Sequence, residues 1–311
     1  MKTVGITALI PPELIFACGK KPCDVNNFVP KSNLQPASKL CAWTAIWRDM
    51  ILRKELPLDS LVVVAGGDCH NALVDGEKVA LSGIPTFYFF YPFEKDVDYL
   101  QDQLDRLSRF LGGIQNPEMF ERVSEIKKLG LDLDELRAQG KYPADKAFKI
   151  MVSFGDFKGD IDLFEKTLKD IQEEDVKYTK TVALLGVPPI NCDFHEVLTS
   201  LGLHVVYDEL PYEFVRLSGN SMDELAENYC DYTFARNIEF RLEFLKNELK
   251  KRNVDGVIHY TQFACHHLLE DDILRKNLDY PFLTIQGDLP GKIHRQVRSR
   301  LEAFSEMLNS V

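Results

Sequence analysis

The sequence predicts an α/β protein of two parallel-sheet lobes, Rossmann-like (flavodoxin-like) in type, joined by a helical connecting segment. Three observations carry that reading. The chain has 311 residues, about twice the length of a common domain. Short β-branched runs alternate with helical periodicities towards both ends, which implies parallel sheets covered on both faces. Between these regions the strand signals vanish and leucines recur at helical spacing. The divisions fall at residues 1–95 for the N-terminal lobe, 96–178 for the helical segment and 179–311 for the C-terminal lobe.

Residues 3–9 read as a first strand, and Pro12-Glu13-Leu14-Ile15 opens a short helix with proline in its first turn. A helix is expected from Ser38 to about Lys54. Leu61-Val62-Val63-Val64-Ala65 is a buried strand ending in Gly66-Gly67, followed by a helix over 70–81 and a strand over 85–90. Leu100, Leu104, Leu107 and Leu111 mark one helix face in the connecting segment. Phe164, Leu168 and Ile171 mark another, and Gly140, Gly155 and Gly159 punctuate the stretch. The second lobe restarts with a strand over 181–186. A helix over about 192–201, a strand over 204–207 and a helix faced by Ile238, Leu242, Leu245 and Leu249 follow. Strands over 254–258 and 281–285 come next, then a closing helix with Val297, Leu301, Phe304 and Leu308 on one side.

A chain of this length buries two cores without disulfide staples. Its 37 basic against 48 acidic residues give a net charge of −11, which argues against nucleic acid and anionic membrane as partners. The locally basic stretches 242–252 and 292–300 read first as solvated helix faces, with a pocket for a phosphorylated ligand as the second reading. No apolar run approaches the roughly 18 residues of a membrane span. Ile15-Phe16-Ala17-Cys18-Gly19 superficially imitates a lipoprotein cleavage site, but Pro11, Pro12 and Glu13 interrupt the apolar core that export needs. Seven cysteines without framework spacing suit a reducing compartment, so a cytoplasmic location is expected.

Three of those cysteines sit where ligands collect in open parallel sheets, at strand ends and helix starts. Gly66-Gly67-Asp68-Cys69-His70 and Gln262-Phe263-Ala264-Cys265-His266 hold that place in their lobes, and Cys41 lies near the start of its helix. A helix N-terminus favours the thiolate that a metal needs. A single cysteine is more often a small buried hydrophobe, and intervals of 28 and 196 residues match neither a zinc ribbon nor a ferredoxin run. Placement thus marks a metal site without fixing the metal.

Several blocks, taken in order, resemble the 2-hydroxyacyl-CoA dehydratase component D family, which includes benzoyl-CoA reductase subunits and is related to double-cubane cluster proteins. Pro12-Glu13-Leu14-Ile15-Phe16-Ala17-Cys18-Gly19 is similar to an early family segment. Leu40-Cys41 and Asp68-Cys69 match the first two cluster cysteines, and Val254-Asp255-Gly256-Val257-Ile258 with Phe263-Ala264-Cys265-His266 matches the third. The closing helix from Arg300 to Leu308 also corresponds. The resemblance implies a 4Fe–4S cluster between the lobes, held by Cys41, Cys69 and Cys265. Its fourth iron would be open to an acyl-CoA substrate. It also implies an ATP-hydrolysing iron–sulfur activator protein, and a homodimer or a heterodimer with a paralogous subunit. The chain carries no Gly-Lys-Ser/Thr loop and no Gly-x-Gly-x-x-Gly, so ATP dependence would come from the partner.

The sequence also departs from the family. His70 stands where the second ligand's usual aspartate follows, and Ile285-Gln286-Gly287-Asp288 replaces Ile-Glu-Thr-Asp. Val187 and Leu210 occupy places where double-cubane members have cysteines, which argues against a double cubane. Cys230 is a candidate fourth ligand; if it binds, the chain becomes an electron-transfer or accessory subunit beside a catalytic paralogue. A third reading has Cys69-His70 and Cys265-His266 binding zinc. Cys18 reads as packing, and Cys23 and Cys192 as loop or helix-start residues. His70, His266 and His267 read equally as hydrogen-bond donors to a cluster and as helix-face residues. Glu13 is either a polar group near the cluster or a first-turn acid. No catalytic residue is singled out.

Overall fold

The computed structural model describes residues 1–36, 40–67 and 69–310. The expected helix start at Ser38, and Asp68 of the cysteine loop, lie outside the described residues.

The N-terminal sheet is built from β1 (Thr3–Ile6), α1 (Pro12–Ala17), β2 (Lys21–Asp24), α2 (Ala42–Leu52), β3 (Ser60–Gly66), α3 (His70–Leu81) and β4 (Thr86–Phe90). Its strands are all parallel in the order β2-β1-β3-β4. Residues 3–9 thus form a shorter strand than expected, and the 70–81 helix appears as read. β2 was not anticipated, and Cys23 lies within it rather than in a loop or at a helix start. Pro22 is tolerated there because β2 is an edge strand.

The connecting segment forms α4 (Val97–Leu111), α5 (Glu118–Ala138), α6 (Ala144–Met151) and α7 (Ile161–Lys169). Leu100, Leu104, Leu107 and Leu111 are all buried, as their periodicity predicts. Gly112 closes α4 in the left-handed conformation, a common helix terminator.

The C-terminal lobe contains β5 (Lys180–Gly186), α8 (Phe194–Ser200), β6 (Leu203–Asp208), α9 (Glu209–Arg216), α10 (Met222–Tyr229), α11 (Ile238–Lys251), β7 (Gly256–Gln262), α12 (Asp271–Asn277), β8 (Phe282–Gly287) and α13 (Arg295–Ser310). Its sheet repeats the first in order, β6-β5-β7-β8, again all parallel. Both lobes are therefore Rossmann-like α/β units with the flavodoxin-like arrangement.

The lobes interlock. The core around β1, β3, α4 and α5 also takes in Phe214, Val215, Leu225, Tyr229, Tyr232 and Phe234 from the C-terminal third. A buried ion pair crosses this seam, with Lys127 Nζ 3.0 Å from Glu13 Oε1 and 2.7 Å from the Tyr229 hydroxyl. Tyr229 donates onward to Glu13 Oε2 at 3.0 Å. Two turns further along the same face of α5, Arg252 reaches Asp134 at 2.6 Å. The connecting helices are thus a layer shared by both lobes. Among the described residues, no helix is long and apolar enough to cross a membrane.

Candidate metal centre

Each of the three cysteines occupies the residue immediately before a helical turn: Cys41 before α2, Cys69 before α3, and Cys265 before the 3₁₀ turn His266–Glu270. These positions face the unpaired N–H groups of a first helical turn. Cys41 is buried, and Cys69 and Cys265 are half-buried. At Gly67 the chain leaves β3 with φ of 92°, where a Cβ would stand 2.9 Å from the Cβ of Ala235. Glycine lets this loop turn while seated against the C-terminal third.

Cys41 and Cys69 head neighbouring helices. Arg48 donates to Asp75 at 2.7 Å. Each helix returns the chain from one parallel strand to the next, so α2 and α3 run the same way, side by side, with their N-termini at one end.

Cys69 and Cys265 come from different lobes, yet the residues around them meet. The His70 and His266 rings lie 5.3 Å apart, and Asn71 Nδ2 donates to the Ala264 carbonyl oxygen at 2.9 Å. The residue after each cysteine touches its counterpart, while the second residue after Cys69 touches the residue before Cys265. The two cysteine loops are therefore bracketed together across the lobes, each following the third strand of its sheet.

Behind Cys265 stands a buried polar chain. His267 Nδ1 lies 2.9 Å from Glu270 Oε2, and Glu270 pairs with Arg241. Arg241 in turn forks onto both Glu209 oxygens at 2.8 Å, and the Gly186 N–H donates to Glu209 at 2.7 Å. Burial would raise the Glu270 carboxyl, but the His267 hydrogen bond and the Arg241 charge outweigh it and hold the group at about 2. Burial, with His267 alongside, pushes His266 down to about 4.

The donors brought to this place are three cysteine thiols and the neighbouring His70, His266 and His267. Among the described residues, no group of three or more His, Cys, Asp or Glu side chains converges tightly enough for one ion, whereas zinc needs four such donors on one centre. Buried indole and imidazole nitrogens of Trp43, Trp47 and His267 have no hydrogen-bond partner among the described residues. Trp43 and His267 each lie two residues beyond one of the cysteines. Each is free to hydrogen-bond a group bound beside it. At Cys41 burial outweighs the lowering effect of the helix start. Burial pushes the thiol up, against the Thr44 and Trp43 N–H groups that pull it down.

The other candidates lie elsewhere. Cys230 ends α10 inside the N-terminal core, where burial pushes its thiol up and the Asp96 N–H opposes the shift. Cys18 is buried at the end of α1, 3.9 Å from the Ser108 hydroxyl, which is a packing position. Cys192 sits on an exposed turn. Glu13 is in the first turn of α1, and its oxygens are engaged by Lys127 and Tyr229. Sequence reasoning missed Asn71 and Arg241, which lie in ordinary helical stretches and carry no motif.

The sequence profile of the family described as 2-hydroxyglutaryl-CoA dehydratase, D-component, matches residues 7–308, nearly the whole chain. The chain belongs to that D-component family. A relative, the (R)-phenyllactyl-CoA dehydratase beta subunit of Clostridium sporogenes, is 22% identical over 345 residues, covering 99% of this chain and 92% of the relative. The D-component chain is thus an acyl-CoA dehydratase-like subunit, and its bracketed cysteine loops occupy the ligand-collecting edge of both sheets.

Proposed function

We propose that this chain is the iron–sulfur subunit of an ATP-driven 2-hydroxyacyl-CoA dehydratase-like enzyme or related low-potential reductase, acting on an acyl thioester. Cys41, Cys69 and Cys265 would hold a 4Fe–4S cluster. The observation that carries the reading is the bracketing of the Cys69 and Cys265 loops across the lobes, with Cys41 heading the helix beside Cys69. Once bound, such a cluster supplies an iron able to polarise a carbonyl and pass it one electron. The chain's own part is to fix three thiolates on rigid helix starts, to exclude water with the interlocked lobes and to seat the acyl group in the cleft between them.

Cys230 lies in the apolar core with α4 and α10, which supports a three-cysteine site with an open fourth position over a fully ligated relay. A separate ATP-hydrolysing activator, itself an iron–sulfur protein, would deliver the electron. The relative's designation as a beta subunit supports a partner subunit, and the thiol-rich centre suits the reducing cytoplasm.

Anaerobically purified protein should be brown, absorb near roughly 400 nm and contain about four irons per chain. Cys41→Ala, Cys69→Ala and Cys265→Ala should each deplete iron, and Cys230→Ala should retain it. Colourless, iron-free wild-type protein after reconstitution would sink the reading, and iron loss in Cys230→Ala would convert it to the relay.

A further inference from the structure

The geometry points to Asn71 as a positioning residue that sets the Cys69 loop against the Cys265 loop across the lobes, through its hydrogen bond to the Ala264 carbonyl. The inference rests on the cluster reading above. Asn71 stands in the first turn of α3, two residues past Cys69, and its side-chain amide donates to the Ala264 carbonyl oxygen at 2.9 Å. The two residues are 193 positions apart in sequence.

The acceptor is unusual. Ala264 adopts φ of 63°, a left-handed conformation that a non-glycine residue rarely takes. The turn is closed by the Cys265 N–H donating to the Gln262 carbonyl at 2.9 Å. An alanine held there redirects its own carbonyl out of the β7 direction, towards α3, and starts Cys265 on its helical turn. The positive φ and the cross-lobe bond thus fall on one residue. Strain of this kind persists where surrounding contacts over-determine it, and the Asn71 amide supplies one such contact.

Asn71 is only half-buried, so its replacement opens no core cavity. Asn71→Asp keeps the shape but removes the N–H donor, and Asn71→Gln restores a donor on a longer arm. Hydrogen–deuterium exchange is measured on the iron-free protein, followed by iron content and the electron paramagnetic resonance spectrum of the reconstituted, reduced protein. In Asn71→Asp, amides of 262–268 and 70–73 should exchange about fivefold faster, the shift expected from losing one hydrogen bond. Amides of β5 should not change. The reconstituted variant should show an altered spectrum, with Asn71→Gln reverting towards wild type. Ala264→Gly, which adopts the same φ without strain, should keep the wild-type exchange and spectrum.

Unchanged exchange and an unchanged spectrum in Asn71→Asp would overturn the inference. Faster exchange throughout the chain, reporting general unfolding, would count against it equally. If wild-type protein takes up no iron, the cluster reading fails by itself, and the iron-free exchange still decides whether Asn71 couples the loops.

Discussion

Lys127, Glu13 and Tyr229 form a unit in which each group is satisfied by the others at the seam of the two lobes. Burial lowers the Lys127 pKa, against the Glu13 charge that raises it. Removing one partner strands a buried charge, so Lys127→Met should cost about 3–5 kcal/mol in urea unfolding. The double variant Glu13→Leu with Lys127→Met should lose less than the sum of the two single changes. His266 gives a pH signature. Its folded pKa of about 4 lies below the ordinary 6.5, so the unfolded state binds a proton that the folded state refuses. Stability is therefore full above about pH 6.5 and falls as the pH drops towards 4. Thermal unfolding of iron-free His266→Gln should be flatter over that window, and an unaltered slope would contradict the assignment.

At the level of the element, the placing of Cys69 depends on how closely α3 lies on β3. A Cβ on Gly76 would stand 2.6 Å from a methyl of Val63, so glycine sets that approach. Gly76→Val should destabilise by roughly 1–3 kcal/mol through overpacking and should reduce iron retention, measured by chelator challenge. The strands that carry the cysteine loops were legible because β3 is a continuous apolar run ended by two glycines. β7 was only half legible: the apolar reading stops at Ile258, but the strand continues to Gln262. His259, Thr261 and Gln262 are buried polar residues in a central strand, and hydrophobic patterning does not detect them. β2 escaped because Lys21-Pro22-Cys23-Asp24 mixes charge with proline, which only an edge position permits. α9 and α10 escaped because they are short, and Pro211 lies within α9. The three cysteines were marked by strand and helix punctuation together with the family resemblance. The hydrogen bond that brackets two of them joins residues 193 apart, and nothing local announces such a pair.

For the molecule as a whole, the two sheets share one strand order, yet the chain does not divide into two independent halves. Phe214, Tyr229, Tyr232 and Phe234 complete the N-terminal core. A fragment of residues 1–178 should therefore aggregate or stay molten by near-ultraviolet circular dichroism. Adding residues 179–310 in trans should restore some structure, and a cooperatively folded 1–178 fragment would refute the dependence. This sharing also sets a timetable for synthesis on the ribosome. Translation adds about 5–20 residues per second, so β4 emerges roughly seven to thirty seconds before Phe234 arrives to close its core. Cys41 and Cys69 spend that interval on an unfinished surface without their third companion. On the proposed cluster reading, insertion would wait for the completed chain, and the two nascent thiols would stand open to oxidation during every round of production.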